Sequence, residues 1–516
     1  MRLISELLTT FDSQAIADIL KLSLDHMPRR TNPRKLWLAM ISVSAIPRIL
    51  GAFFLPNAFG DAYVYIRDIG AMSTKLSART FALTDLFGFW LPLYQFTCAV
   101  INVFVGNGFY VGKFVSALFG VGVCLLVYGI TLRLTANRTA AVLAFVLIAL
   151  NPLHILNSAS AMTDVPHAFF VSASLYFVLR RGWFAAAIFA ALAGLTRVES
   201  WMFIALLPAI QFLRERRVSV VAVLILLIPP LFWFYISWKA TGNWLACFQA
   251  RQQYHDWLLA MNPKLGRFAL RQVLRDGASL LVSTDIAVFL GAFVAGWKVC
   301  KRLLNGGKIS NEMLPTLPPL IFFFAFLSLL IFAYLTHQQP IIFPRYGLIL
   351  FSLGIPILAW TVLRLRETKP HLARRLVISV IAICVFDASV QLVGSVGLLN
   401  QYSAQRAVAD YLRDHFPPNG NTRIFCDEGT VQALSGIPPE QFLSSADAPR
   451  DRADFLAFLN EKNVAYLVVV KKEDSIPSKL FPKECGERIG PFESVMHAVS
   501  AFLPTNICLY QANGGE

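Results

Sequence analysis

Four groups of polar residues interrupt or border apolar runs in this chain, and their types suit one kind of chemistry. Asp61, with Tyr63, Tyr65, Arg67 and Asp68, follows the first long apolar run, in Pro56-Asn57-Ala58-Phe59-Gly60-Asp61-Ala62-Tyr63. Further on come Asn151-Pro152-Leu153-His154 and then Met162-Thr163-Asp164-Val165-Pro166. Leu195-Thr196-Arg197-Val198-Glu199-Ser200 separates two half-length apolar pieces, and His337 leads to Phe343-Pro344-Arg345-Tyr346. Ionisable groups at membrane depth are costly, so a carboxylate at that edge is a functional-site candidate. A carboxylate can take the proton of an attacking hydroxyl. Arginine's planar fork matches phosphate oxygens and can stabilise charge on a leaving group.

Such groups need elements that hold them at one membrane edge. Of 516 residues, 56% are hydrophobic and only 15% charged, with 42 Phe and a mean hydropathy of +0.57. Soluble domains carry about 25% charged residues, so a soluble globular protein is excluded. Val218–Trp238 and Leu314–Leu335 are uncharged and of the length, about 20 residues, that crosses a ~30 Å hydrocarbon core. The net charge of +15 is spread over short segments between apolar runs: Arg29–Lys35, Arg133 with Arg138, Arg180-Arg181, Arg214–Arg217, Lys298–Lys308 and Arg364–Arg375. That is the positive-inside pattern of cytoplasmic loops rather than a nucleic-acid surface.

Spans read at 36–56, 111–132, 139–157, 165–180, 183–196, 199–213, 218–238, 279–297, 314–336, 343–363 and 376–397 give about eleven transmembrane helices in an all-α polytopic domain. With a cytoplasmic N-terminus, this count puts every basic cluster inside. It requires the apolar stretch 86–106 to lie along the outer interface instead of spanning. Residues 1–35 then form a cytoplasmic segment with an interfacial helix, and 36–397 the transmembrane domain, with an external loop at 57–110. Residues 398–516 form a small extracytoplasmic α/β domain, with strand-like runs at Thr422–Cys426, Val464–Val470 and Ile507–Tyr510. Of eight Cys, only Cys426, Cys485 and Cys508 fall in that tail. Their spacing is not metal-like, and which two would form a disulfide is open. All four polar groups fall on the non-cytoplasmic side.

Glycosyl transfer from a lipid phosphate sugar uses these groups: Asp61 as base, Arg345 and Arg197 on the phosphate. The order of marks resembles the polytopic GT-C superfamily of glycosyltransferases. It is nearest to the protein O-mannosyltransferase and lipid A aminoarabinose transferase branch (glycosyltransferase family 39-like). The marks are Gly60-Asp61, Leu91-Pro92-Leu93-Tyr94, Met162-Thr163-Asp164-Val165-Pro166, Leu195-Thr196-Arg197-Val198-Glu199 and Phe343-Pro344-Arg345-Tyr346, within residues 36–365.

The resemblance implies an inverting enzyme that uses a polyprenyl-phosphate sugar, with Asp61 as general base. Asp164 would be a second catalytic acid that orients the site or, in some branches, binds a divalent metal. Tyr346 and His337 are expected beside Arg345 and Arg197 at the donor phosphate, with Glu199 and Asp68 in support. Ala62 stands where the O-mannosyltransferase pattern has Glu, so the base carries over while the sugar and the acceptor class stay open. The expected partners are the lipid-linked donor, a glycan, lipid or protein acceptor, and membrane lipid, in a prokaryotic plasma (inner) membrane.

Plainer readings stand beside these. Asp61 could cap a helix starting at Ala62, and Asp164 could cap one before Pro166. Arg197 and Glu199 could neutralise each other, and Arg345-Tyr346 is an ordinary snorkelling pair. His337 reads equally as a wetted loop residue, and Asp387 as a packing residue within a span. His255 and Asp256 either touch an acceptor or anchor their loop. The alternative function is a secondary transporter or lipid flippase, which would show related halves and mid-membrane charges. No internal repeat is visible, and most polar marks gather at one edge, which favours the enzyme.

Overall fold

A computed structural model of the chain describes residues 33–261, 269–305, 313–339, 341–368, 370–417, 422–445, 448–471, 476–481, 485–486, 488–500 and 505–512. The expected N-terminal interfacial helix lies outside them. The elements that carry the membrane domain are α1 (Pro33–Phe54), α2 (Gly60–Ser77), α3 (Leu93–Val105), α4 (Gly108–Thr135), α5 (Arg138–Ala149), α6 (Pro152–Ser158), α7 (Asp164–Leu179) and α8 (Trp183–Thr196). They continue with α9 (Phe203–Glu215), α10 (Val220–Thr241), α11 (Ala246–Met261), α12 (Leu270–Thr284), α13 (Ile286–Leu304), α14 (Leu317–Leu335), α15 (Gly347–Thr368) and α16 (Pro370–Asn400).

Among the described residues, six helices have the length and apolarity to cross a bilayer, or eight spans when each of two bent pairs counts as one. The shorter apolar helices are α3, α7 and α8. The longest uninterrupted span before the site, α4, has 28 residues and rises roughly 42 Å. The apolar α3 lies in the loop between α2 and α4 and packs on both.

Two spans are bent rather than straight. At 139–157 the chain turns by 62° between α5 and α6. Asn151 caps the new start by accepting from His154 N at 2.8 Å, and Pro152 needs no donor at that position. The carbonyls freed at the end of α5 are met by the buried Arg48, which donates to Ala149 O at 3.0 Å and Ile148 O at 3.3 Å. Unsatisfied backbone groups have no water to turn to at that depth, so a guanidinium supplies the missing donors.

The expected straight span 279–297 is broken more sharply, by 87° between α12 and α13. Asp285 adopts a left-handed φ of 69°, and its carboxylate accepts from Ala287 N at 2.9 Å. Asp387 reaches from α16 to accept from Ile286 N at 2.7 Å. Asp387 is therefore more than a packing residue: it caps a helix start 101 residues away in sequence.

A C-terminal α/β unit follows, with α17 (Ser403–His415), β1 (Arg423–Cys426), α18 (Gly429–Ser435), β2 (Phe442–Leu443), α19 (Arg452–Glu461), β3 (Val464–Val470), α20 (Ile476–Leu480), β4 (Phe492–Val499) and β5 (Asn506–Ala512). Its sheet order is β2-β1-β3-β5-β4, with β2, β1 and β3 parallel and β5 antiparallel to both β3 and β4. Val464–Val470 reads as a continuous apolar run because both faces of this central strand are covered, by Val408 and Leu412 on one side and by Phe455 and Leu459 on the other. Cys485 and Cys508 form the disulfide, with Cα atoms 5.5 Å apart; Cys426 is free and buried.

Candidate active site

Two turns laid side by side place the carboxylates. Asn57 Oδ1 accepts from Ala161 N at 2.9 Å, and Ala58 N donates to Ser160 Oγ at 3.4 Å. Tyr94 of α3 donates to Gly112 O of α4 at 2.7 Å, and Ser116 of α4 donates to Met162 O at 3.1 Å. The loop after α1 and the loop before α7 are thereby fixed to the same part of α4. Helix α2 starts at Gly60, one residue before Asp61, with Phe59 at the cap position and no side-chain cap. Asp61 is thus a first-turn residue in the favourable end of the helix dipole, not a cap. Asp164 likewise opens α7, and its side chain turns to a partner elsewhere.

Arg345 supplies the partner of Asp61. It sits in a single 3₁₀ turn, Pro344–Tyr346, between the loop after α14 and the start of α15. Its Nη2 lies 2.7 Å from Asp61 Oδ2, with the arginine side chain 11% exposed and the aspartate 34%. The guanidinium carbon stands 5.7 Å from the ring centre of Phe59, 5.3 Å from that of Phe343 and 5.5 Å from that of Tyr346. A second guanidinium flanks the same tyrosine: Arg197 is 5.7 Å from the Tyr346 ring centre. Arg197 bonds Asp164 Oδ1 at 2.9 Å and Glu199 Oε1 at 2.8 Å. The result is one continuous chain of contacts, Asp61–Arg345–Tyr346–Arg197–Asp164, with Glu199 branching from Arg197. Asp164 Oδ2 and Arg345 Nε are both buried with no hydrogen-bond partner.

The structure therefore brings together Asp61, Asp164, Arg197, Glu199, Arg345 and Tyr346. It does not bring in Asp68, which pairs with neighbouring Arg67 at 3.3 Å and faces a separate 240 Å³ groove lined by Lys75, Asp85 and Trp90. Seven residues put Asp68 on the helix face of Asp61, but also roughly 10 Å farther along the axis. His337 occupies a left-handed turn (φ 58°) at the end of α14; the ion pairs of the site run through other side chains. His255 and Asp256 belong to α11, and Gln252 of that helix bonds both Asp256 at 2.8 Å and Gln338 at 3.2 Å.

Tyr65 of the first polar group joins, with three residues from places that give no local signal: His167, Arg251 and Tyr402. Tyr65 contacts Thr163 Oγ1 at 3.3 Å, and burial beside Asp61 holds its phenol well above the ordinary tyrosine range. His167, one turn after Asp164, bonds Ser200 Oγ at 2.7 Å, next to Glu199. Arg251 of α11 donates to Phe89 O at 3.3 Å and lies within the electrostatic reach of Glu199 and Arg197. Tyr402, at the junction of α16 with the C-terminal unit, packs on Tyr63 with ring centres 5.4 Å apart. A Cβ at Gly60 would stand 2.7 Å from Tyr402 Oη, so glycine is what lets that tyrosine approach the start of α2.

Among the described residues, no three His, Cys, Asp or Glu side chains converge as a metal site. Asp61 and Asp164 each face a guanidinium instead of each other, so the donor set does not fit a divalent ion. It fits an anion, held by two arginines and flanked by carboxylates.

Residues 43–182 match the family model of dolichyl-phosphate-mannose-protein mannosyltransferases. The crystal structure of ArnT from Cupriavidus metallidurans bound to undecaprenyl phosphate is similar over 92% of this chain and 98% of that one, at 12% identity and a TM-score of 0.54. The apo form of the same protein aligns over 93% and 98%, at 12% identity and 0.45. The arabinofuranosyltransferase AftD from Mycobacteria aligns over 92% of this chain and 40% of that one, at 14% and 0.42. No curated protein sequence matches. Residues 43–182, from α1 to the end of α7, are thus similar to a mannosyltransferase family model and sit within a multi-pass membrane fold shared with ArnT.

Proposed function

We propose that the chain moves a sugar from a polyprenyl-phosphate donor to an acceptor hydroxyl on the non-cytoplasmic face of a prokaryotic plasma membrane, with inversion at the anomeric carbon. The acceptor oxygen attacks that carbon, its proton passes to Asp61, and the carbon–oxygen bond to the phosphate breaks. The polyprenyl phosphate leaves with its charge facing Arg345 and Arg197. The observation that carries this reading is the shared Tyr346 ring, which sets two guanidiniums side by side with Asp61 2.7 Å from one of them.

The donor phosphate competes with Asp61 for Arg345, so donor binding frees a carboxylate oxygen for the acceptor. Asp164 and Glu199 fix Arg197 in place, and the unpaired Asp164 Oδ2 offers an acceptor to a sugar hydroxyl. Tyr63, pushed up to about 12 by burial, and Tyr65 stay protonated at working pH, which leaves Asp61 as the base. The likeness in fold to a protein solved with undecaprenyl phosphate supports a polyprenyl donor. Contact of Tyr402 with the start of α2 supports a C-terminal unit on the same side as Asp61.

The test is transfer by the purified full chain from a synthetic polyprenyl-phosphate sugar, with the product anomer assigned by NMR. Release of polyprenyl phosphate coupled to an inverted product is expected. A retained anomer, or transfer from a nucleotide sugar alone, would overturn the reading.

A further inference from the structure

The helices that begin at Asp164 and end before Arg197 meet at the far side of the molecule. Helix α7 descends from Asp164 and α8 returns to Thr196, so the turn Arg180-Arg181-Gly182 lies one helix length from the candidate active site. At 16 and 14 residues, the two helices rise roughly 24 and 21 Å. That is less than the ~30 Å hydrocarbon core, and a short span draws the bilayer surface in towards its end. The turn therefore stands at the depth of lipid headgroups.

A cavity of about 840 Å³ opens there, between the α7–α8 turn and the α9–α10 turn. Arg180, Arg181 and Arg217 line it, with Glu215, Trp183 and Phe184. Two further arginines stand behind the wall. Arg133, from the end of α4, and Arg180 flank the Tyr176 ring at 5.6 and 5.8 Å. Arg214 donates to Val178 O at 2.9 Å, while its Nε is buried with no partner. Glu215 is the one carboxylate in the lining, and Arg217 already engages it at 3.4 Å.

The surface around the mouth is apolar and exposed: Phe184 is 60% exposed, Leu213 59% and Val220 70%. A soluble anion would use only the arginines. A phospholipid would use both, its phosphate on the guanidiniums and its acyl chains along the apolar surface. We propose that this cavity binds the phosphate headgroup of an anionic membrane phospholipid, at the membrane face opposite Asp61. The site tethers to the bilayer the same helix pair whose other ends hold Asp164 and Arg197.

Native mass spectrometry of the full chain in detergent tests this, with phosphatidylglycerol, phosphatidylcholine and inorganic phosphate as separate probes. Phosphatidylglycerol is expected to be retained at collision energies that strip phosphatidylcholine. Each basic residue near a membrane surface contributes about fivefold to such binding, so R180Q/R181Q/R217Q should weaken it about a hundredfold. Glu215→Gln removes the opposing charge and should strengthen it several-fold; that variant decides the matter if the triple variant does not fold. Equal retention of the two lipids, unchanged binding in the triple variant, or no gain in Glu215→Gln would overturn the proposal. Displacement of phosphatidylglycerol by inorganic phosphate would overturn the assignment to lipid.

Discussion

Replacing Arg345 by Ala removes the guanidinium that, among the described residues, pairs with Asp61, and one of the two facing Tyr346. Two effects follow, and their sizes separate them. The ion pair itself contributes little to stability, about 1 kcal/mol or less, because a third of the Asp61 side chain is open to solvent. Loss of a preorganised donor to the leaving phosphate costs about 3–4 kcal/mol of transition-state stabilisation, a 10²–10³-fold drop in kcat. Arg345→Lys keeps the charge but loses both the planar fork and the stacking between Phe343 and Tyr346. It should fall between, at roughly 10-fold below wild type. The assay is initial-rate transfer from a polyprenyl-phosphate sugar, with thermal unfolding in detergent followed in parallel. Because Asp61 and Arg345 act on one reaction centre, Asp61→Asn/Arg345→Ala should be little worse than either single change. A rate for Arg345→Ala within about threefold of wild type would refute the phosphate role. Fully multiplicative losses in the double variant would refute the coupling.

Arg197→Met leaves Asp164, 6% exposed, as an uncompensated buried charge; about 3 kcal/mol of stability should be lost, much of it regained in Arg197→Met/Asp164→Asn, as thermal unfolding in detergent would report. Gly60→Ala pushes a methyl towards Tyr402 Oη at 2.7 Å and should displace the start of α2, lowering kcat at least several-fold; Tyr402→Phe in the same chain should restore part of the rate. Arg48→Met strips the donors from Ala149 O and Ile148 O and should cost about 2–4 kcal/mol of stability while leaving the donor KM of the surviving folded fraction unchanged.

The spans were legible because long uncharged runs have few alternatives in a chain this apolar. Val220–Thr241 and Leu317–Leu335 follow directly from such runs. The expectation that α3 lies along the outer interface rests on the charges of Arg133 and Arg138, since its own residues are apolar enough to span. The 87° break at Asp285 was not legible, because it depends on a left-handed φ and on Asp387, 101 residues distant. The candidate site was legible where ionic residues broke apolar runs, as at Arg197 and Arg345. Asp68 pairs with Arg67 instead of joining the Asp61 cluster, because helical phase fixes a face but not the distance along the axis. Arg251 and Tyr402 escaped notice because each sits among residues that look like ordinary loop or helix surface until folding brings it to α2 or Glu199. Strand β4 was missed too, its pairing with β5 being set by contacts across the sheet.

Asp61 carries the central claim, and Asp61→Asn tests it with the least change of shape. The measurement is single-turnover transfer from a polyprenyl-phosphate sugar by purified Asp61→Asn, alongside its donor affinity. The account predicts donor binding at least as tight as wild type, because Arg345 no longer faces a competing carboxylate, and a chemical step slowed by about 10²–10⁴-fold. A single-turnover rate within about threefold of wild type, in protein that is folded and donor-bound, would contradict it.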